Sequence, residues 1–198
     1  MISGKIGGVV IVQTKWRKYA RSAPTVGKKR RWSPKQVMAR KRFSAVYAFW
    51  KQFQRTPVKQ IWDQAAEMMS GYNFYLKTNM PAFGEDGALV DPERLHFSAG
   101  KLPLPHRLNA KRTESDPMKI EVSWQADANS VLCRPDDELM MMVSNDGKFT
   151  GPIATGAIRR QESAVIQLPT VTGTIQGIYL FFGSDKRKLY SPDIYFGI

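Results

Sequence analysis

The chain has 198 residues, of which 42% are hydrophobic and 11% aromatic, and its formal net charge is +13. This composition predicts a globular protein with a hydrophobic core, and no apolar run, such as residues 7–12, approaches the roughly 18 residues that a membrane span needs. Cys133 is the single cysteine, which excludes an internal disulfide, and with only His96 and His106 beside it no zinc site is expected.

The positive charge is concentrated in the first third of the chain. Residues 1–60 contain 16 Lys or Arg and no acid, whereas residues 61–198 contain 14 basic and 17 acidic residues. Such asymmetry favours a polyanionic partner, because cations that neutralise phosphates gain free energy from counterion release. An acidic protein surface would serve as well, and a solvated segment without a specific partner is the third alternative.

Residues 1–33 are predicted to form a basic extended arm. Residues 3–12 predict a glycine-rich lead into a short strand, and residues 22–33 have linker composition with four consecutive cations. Aromatic residues among the charges can stack on bases or anchor the arm on a neighbouring molecule, and we favour the anchor. The residues expected to contact a partner or phosphates are Lys15, Trp16, Arg17, Lys18, Tyr19, Arg21, Lys28, Lys29, Arg30, Arg31, Arg40, Lys41 and Arg42.

Residues 34–83 are predicted to form a helical hairpin. Ser33-Pro34 and Thr56-Pro57 are each a cap followed by a proline at the first helical position, and Gly71 is expected to end the second helix. Steps of four and three residues predict one apolar stripe on the first helix, made of Ala39, Phe43, Val46, Trp50 and Phe53. Linker composition then predicts a domain boundary near residue 84.

Residues 84–198 are predicted to form an antiparallel immunoglobulin-like β-sandwich, which makes the fold class α+β. Turn signals at residues 135–137, 145–147 and 184–186 separate short alternating runs, and Trp124 and Phe181 are core candidates. Met140–Met142 are expected to lie half in the core and half at an edge. The predicted strands are Leu95–Ser98, Lys119–Trp124, Leu139–Ser144, Ala164–Leu168, Thr174–Phe182 and Ile194–Phe196.

Catalysis finds little support in the sequence. It contains no nucleophile elbow, phosphate-binding loop, metalloprotease motif or dinucleotide fingerprint. We therefore expect no enzyme activity, cofactor, metal or small-molecule substrate. Asp136, Asp137 and Glu138 are expected to be solvated turn acids rather than metal ligands, and His96 and His106 are expected to be structural or exposed.

Two groups of short motifs carry a family resemblance. Ser3-Gly4-Lys5-Ile6-Gly7, Tyr19-Ala20-Arg21-Ser22, Ser33-Pro34-Lys35-Gln36 and Arg42-Phe43 resemble a module of uncharacterised phage and prophage proteins, although that module has Pro and Thr where this chain has Ser33-Pro34-Lys35. Residues 135–137, 179–182 and 190–195 are similar to a domain-of-unknown-function family common in Bacteroidota. The resemblance implies a phage-type structural or assembly context and supplies no site residues.

These observations together predict a virion-associated assembly protein whose basic arm contacts neighbouring subunits or packaged DNA. We expect a homo-oligomer or larger assembly, non-specific nucleic acid as a possible partner, no membrane contact, and a location in the virion or the cytoplasm of a bacterial host. The alternative is a free, sequence-independent nucleic-acid-binding protein, which would show steep salt dependence.

Overall fold

The computed structural model describes residues 3–14, 17–24, 31–125 and 130–198. Within them, the chain begins with a three-stranded antiparallel sheet in the order β1-β2-β3, which we call the N-terminal sheet. Its strands are β1 (Gly4–Ile6), β2 (Val9–Gln13) and β3 (Lys18–Ser22). The segment predicted as an extended arm therefore contains a folded sheet within residues 4–13 and 18–22, because the β-branched residues of β2 pair with a strand on each side.

Three α-helices follow in the described part of the chain: α1 (Pro34–Phe53), α2 (Pro57–Ala65) and α3 (Gly71–Asn79). The predicted start of α1 is confirmed, since the Ser33 hydroxyl accepts from the Gln36 amide at 3.3 Å and the Gln36 side chain accepts from the Ser33 amide at 3.0 Å. α2 begins at Pro57 as predicted, but Gly71 opens α3 instead of ending α2. The predicted hairpin is thus a unit of three helices.

The rest of the described chain forms two antiparallel sheets. The small sheet has the order β4-β5-β9, and the large sheet has β10 and β6 at its centre, flanked by β11 and β12 on one side and by β7 and β8 on the other. Their strands are β4 (His106–Arg112), β5 (Lys119–Gln125), β6 (Glu138–Asn145), β7 (Lys148–Phe149), β8 (Ile153–Ile158), β9 (Ser163–Gln167), β10 (Ile175–Ser184), β11 (Leu189–Tyr190) and β12 (Ile194–Gly197).

The large sheet is buried on both faces and so forms the middle of three layers. Leu180 and Phe182 of β10 pack towards the small sheet with Trp124, whereas Tyr179 and Phe181 pack towards the helices. This alternation follows from the two-residue period of a strand. Trp124 and Phe181 are both buried, as predicted, but they belong to different hydrophobic clusters.

The helices share one hydrophobic cluster with the large sheet. The Phe49 and Phe53 rings of α1 contact Phe97, with centroids 6.1 and 5.2 Å from its ring, and Phe97 in turn contacts Tyr179 with ring centroids 4.8 Å apart. The Trp62 indole N–H donates to the Phe97 carbonyl at 3.0 Å. This cluster crosses the boundary predicted near residue 84.

The predicted α+β class with antiparallel sheets is confirmed. Five of the six predicted strands correspond to β5, β6, β9, β10 and β12. The prediction for Leu95–Ser98 is wrong: these residues are irregular and hold Phe97 between helices and sheet. Met141 and Met142 are both fully buried on opposite faces of β6, so the half-edge prediction for the methionines is also wrong, since β6 is central in the sheet.

Candidate functional site

Two connections join the strands of the N-terminal sheet. Gly7 has a φ of +57° in the two-residue turn between β1 and β2, a conformation that glycine adopts without steric cost. The second connection is closed by Thr14, whose amide donates to the Arg17 carbonyl at 2.8 Å. We call the helices and the other two sheets, within residues 34–198, the body. No described residue of the N-terminal sheet belongs to either hydrophobic cluster of the body. The sheet is therefore held by its own ladders and presents its faces outward.

Strand register gives the N-terminal sheet one largely apolar face. Ile6 is directly opposite Val9, and Ile11 is opposite Ala20. Directly paired residues of antiparallel strands project to the same side. Ile6, Val9 and Ile11 are 71%, 45% and 36% exposed. We call this side the apolar face; Lys18, opposite Gln13 at its far end, is the one charged residue that the register places on it.

The other side of the N-terminal sheet, here called the basic face, carries cations beside an aromatic ring. Val10 lies between Lys5 on β1 and Arg21 on β3, and the next row pairs Val12 with Tyr19. Lys5, Tyr19 and Arg21 are exposed. The register thus separates a phosphate-compatible arrangement of cations and one aromatic ring from the apolar face.

The residues predicted to contact a partner fall into three groups. Lys15, Trp16, Lys28, Lys29 and Arg30 lie outside the described residues. Arg17, Lys18, Tyr19 and Arg21 are exposed on or beside the N-terminal sheet, and Arg31, Arg40 and Lys41 are exposed before or on α1. Arg42 is different, because its guanidinium donates to the Met80 carbonyl through two nitrogens, at 2.7 and 3.0 Å. That side chain fastens α1 to the end of α3 and so has an internal role.

The described cations of residues 1–58 lack carboxylate partners. Every ion pair among the described residues involves a cation beyond that point, such as Lys59 with Asp63, Lys101 with Glu67 and Lys111 with Glu121. Arg40 instead lies over the Trp32 ring, with its guanidinium carbon 4.2 Å from the ring centroid. The charge asymmetry of the sequence is thus retained in the fold, where no described carboxylate neutralises the described cations of residues 1–58.

A groove beside the first half of α1 is a feature that the sequence did not predict. It has a volume of about 860 Å³ and is lined by Lys35, Met38, Ala39, Arg42, Phe43, Met80 and Glu85, which we call the α1 groove. The predicted stripe placed Ala39 and Phe43 in the helix packing, but buried residues of α1 begin only at Val46, and Phe43 is 47% exposed. Only the second half of the stripe, from Val46, is covered, and periodicity alone could not distinguish it from the exposed first half.

Two buried polar clusters stabilise the body and lie apart from these surfaces. Asp193 accepts from the His96 ring at 2.8 Å and from the amides of Phe97 and Ser98 at 2.6 and 3.2 Å. The hydrogen bond to this carboxylate raises the pKa of His96 above its usual value, against the effect of desolvation. Nothing in the sequence linked the pair, because the two residues are 97 positions apart.

Asp137 corrects the prediction of a solvated acidic turn. Its side chain is fully buried and lies between two arginines: Arg159, whose Nε is 3.7 Å away, and Arg187, whose guanidinium donates to it. Asp136 is exposed as predicted, and the Glu138 side chain accepts from the Gly156 amide at 3.0 Å. Loss of one partner of a buried ion pair leaves the other charge buried without compensation, so this turn has a structural role.

Neither cluster is arranged for metal chemistry. The described residues contain no group of three or more His, Cys, Asp or Glu side chains that could hold a metal ion. As for membranes, none of the helices in the described part of the chain is both long and apolar enough to cross a bilayer. Burial raises the pKa of Tyr75 well above its usual value, which keeps this hydroxyl protonated inside the helical cluster.

A family model matches residues 1–197 and describes a family of unknown function, DUF6266. The chain belongs to the DUF6266 family. The match spans the N-terminal sheet, the helices and both body sheets of this DUF6266 protein. No curated protein matches the chain.

Proposed function

We propose that this DUF6266 protein is a non-enzymatic assembly protein whose N-terminal sheet docks on a neighbouring subunit. The observation that carries the proposal is the exposed apolar face of a sheet without a core of its own. Strands of 3, 5 and 5 residues enclose too little apolar surface for independent stability. Covering Ile6, Val9 and Ile11 with another molecule removes that surface from water.

The resemblance of the N-terminal motifs to phage and prophage proteins supports a virion as the site of this assembly, so we propose a virion-associated component. In this component, the body is the rigid part that carries the N-terminal sheet. The immunoglobulin-like arrangement of residues 84–198 belongs to the same proposal: two antiparallel sheets with a shared core support it, and the three helices are an additional layer on the large sheet.

A second candidate function, non-specific nucleic-acid binding, is favoured by the uncompensated cations. Lys41, Lys51 and Arg55 are exposed along or just after α1, with no carboxylate partner among the described residues. Trp32 and Tyr47 expose aromatic surface beside them. Cations that have no internal counter-ion are available to neutralise phosphates.

Light scattering distinguishes the two functions. We would measure the mass of the full chain and of a chain lacking residues 1–32, each with and without duplex DNA across a salt series. Assembly predicts multiples of 22.5 kDa without DNA that disappear in the shortened chain. A monomer whose mass changes only with DNA at low salt would contradict assembly and support the second candidate.

Two controls make that comparison interpretable. The shortened chain should keep its thermal unfolding midpoint, because the missing sheet supplies no residue to either cluster. For DNA binding, Lys41→Gln should lower the slope of log affinity against log salt by about 0.9, whereas Lys59→Gln, whose charge is paired with Asp63, should change it less.

A further inference from the structure

The outward side of α1 carries a row of exposed polar and aromatic residues. Its members recur at steps of four and three residues, which places them within about 60° of one another around the helix axis. The row extends for roughly 16 Å at 1.5 Å per residue. The buried residues of α1 lie on the other side of the helix, in the cluster shared with the large sheet. We call this row the α1 outer face; it consists of Arg40, Ser44, Tyr47 and Lys51.

Each end of the α1 outer face pairs a cation with an aromatic ring. At the first end, the Arg40 guanidinium carbon lies 4.2 Å from the centroid of the Trp32 ring. At the second end, the Lys51 ammonium lies 5.7 Å from the centroid of the Tyr47 ring. Tyr47 is also held by an edge contact with Tyr72, whose ring centroid is 5.9 Å away. Trp32 and Tyr47 are still 56% and 42% exposed, so both rings present open surface next to a positive charge.

A hollow beside the pair of Arg40 and Trp32 extends this surface towards Lys41. Its volume is about 430 Å³. The acid that lines it is Asp86, whose carboxylate accepts from the Ala88 amide at 3.0 Å within its own turn. Because two cations and one acid line the hollow, positive charge is in excess there as well as along the row.

Cations alternating with open rings are the arrangement that binds an unpaired nucleic-acid strand. Cations attract the phosphates of a strand and of a duplex alike, whereas a ring can stack only on a base that is free of the duplex. An acidic protein surface would use the cations but leave the rings without a role. Resting on the second candidate function, we infer that the α1 outer face binds single-stranded nucleic acid. Phosphates contact Arg40, Lys41 and Lys51, and bases stack on Trp32 and Tyr47.

Fluorescence anisotropy of the full chain with labelled oligothymidylate tests this inference. The comparison is the same strand paired with oligoadenylate, which keeps the phosphates but hides the bases in a duplex. We expect the free strand to bind at least about five-fold more tightly, the lower end of what one stacked base contributes.

Ring and charge substitutions should act differently on strand binding. Tyr47→Ala should lower the affinity for the strand about five-fold or more and leave its salt dependence unchanged, because the ring carries no charge. Lys51→Gln should instead lower the slope of log affinity against log salt by about 0.7. Phe43→Ala is the matched control and should bind as wild type does. Phe43 lies one turn from Tyr47 with similar exposure, 47% against 42%, but lines the α1 groove.

Two further variants do not depend on the packing of Tyr47. Trp32→Ala, before the start of α1, should lower the affinity for the strand as Tyr47→Ala does. Asp86→Asn should raise that affinity at low salt, because the hollow loses its negative charge while the side-chain oxygen can still accept from the Ala88 amide. Asp136→Asn, at an exposed position in the turn before β6, should leave it unchanged.

The outcomes separate failure of this inference from failure of the second candidate function. Equal affinity for strand and duplex, with both ring variants neutral, would overturn stacking and leave non-specific nucleic-acid binding in place. A strand preference that survives both ring variants would overturn the α1 outer face as the site. Polyglutamate that competes as well as unlabelled strand would overturn nucleic acid as its ligand. Absence of binding to strand and duplex at low salt would overturn the second candidate function too.

Discussion

Asp137 shows how one buried residue can depend on partners far away in sequence. Its carboxylate is enclosed by Arg159, which is 2% exposed, and by Arg187, 50 positions along the chain. It also accepts from the Arg134 amide at 2.8 Å. Nε and Nη1 of Arg159 have no hydrogen-bond partner among the described residues, and its guanidinium carbon lies 4.6 Å from the Phe182 ring centroid. Asp137 is therefore the main counter-charge of a buried cation.

Removing that counter-charge should destabilise the body strongly. We expect Asp137→Ala to lower the free energy of unfolding by about 3–5 kcal/mol, because Arg159 would stay buried without its partner. Urea denaturation followed by circular dichroism measures the change. Asp136→Ala, at the exposed neighbouring position, should stay within about 0.5 kcal/mol of wild type. Equal losses in the two variants would refute the assigned role of Asp137.

His96 joins the helices to the end of the chain through hydrogen bonds on both its backbone and its ring. Its amide donates to the Asn79 side chain at 2.6 Å, while Asn79 donates to the His96 carbonyl at 3.1 Å. Its ring is paired with Asp193. The carboxylate hydrogen bond holds the pKa of His96 above its unfolded value.

This pairing predicts a specific pH dependence of stability. Because the pKa of His96 is raised in the folded state, the stabilisation by its charged form is fully present below the unfolded pKa of about 6.5. It is lost as pH rises through the higher folded value. The free energy of unfolding should therefore decline over this range in wild type and in His106→Gln. In His96→Gln that component should be absent; an unchanged pH profile would exclude the pair as its source.

At the scale of elements, α3 illustrates why local signals mislead at helix ends. Gly71 is a reasonable stop signal in sequence, yet Ser70 caps a new helix by accepting from the Asn73 amide at 3.2 Å. The glycine is needed because α2 passes very close. A Cβ at Gly71 would lie 2.6 Å from the Asp63 amide nitrogen and 2.7 Å from its Cα. Only the packing of α2 on α3 reveals this requirement.

Substitution of that glycine should therefore separate the two helices. Gly71→Ala is expected to lower the free energy of unfolding by about 1–3 kcal/mol, as overpacking in a core does. Gly151→Ala provides the control, since nothing lies within 4 Å of a Cβ at that exposed position. Thermal unfolding of the two variants measures the difference. A Gly71→Ala chain as stable as the control would show that the helices can move apart freely.

α1 and β6 show what periodicity leaves undetermined. The 3.6-residue stripe of α1 was predicted as one surface, but only its second half, from Val46, is covered. The methionines of β6 have no clear alternation in polarity, and their burial on both faces depends on β6 lying between two other layers. A strand buried on one face and a strand buried on two can look alike in short segments.

At the scale of the whole molecule, charge and burial are divided along the chain. The body has ion pairs, two hydrophobic clusters and the two buried polar clusters around Asp193 and Asp137. The first 60 residues hold the net positive charge and, in the N-terminal sheet, an apolar face without a cover. This division is what makes an assembly role the best-supported proposal, since contact with another molecule would remove that apolar face from water.

The sequence by itself determined the features that depend on neighbouring residues: the charge asymmetry, the capped starts of α1 and α2, and the main strands of the body. Capping, turn chemistry and alternation are local, so they can be read within a few positions. Tertiary structure alone decided the three-layer order, the burial of Asp137 and the pairing of His96 with Asp193. It also decided that Phe43 borders an open groove. These features depend on contacts between residues up to 97 positions apart, and the chain must fold before they exist.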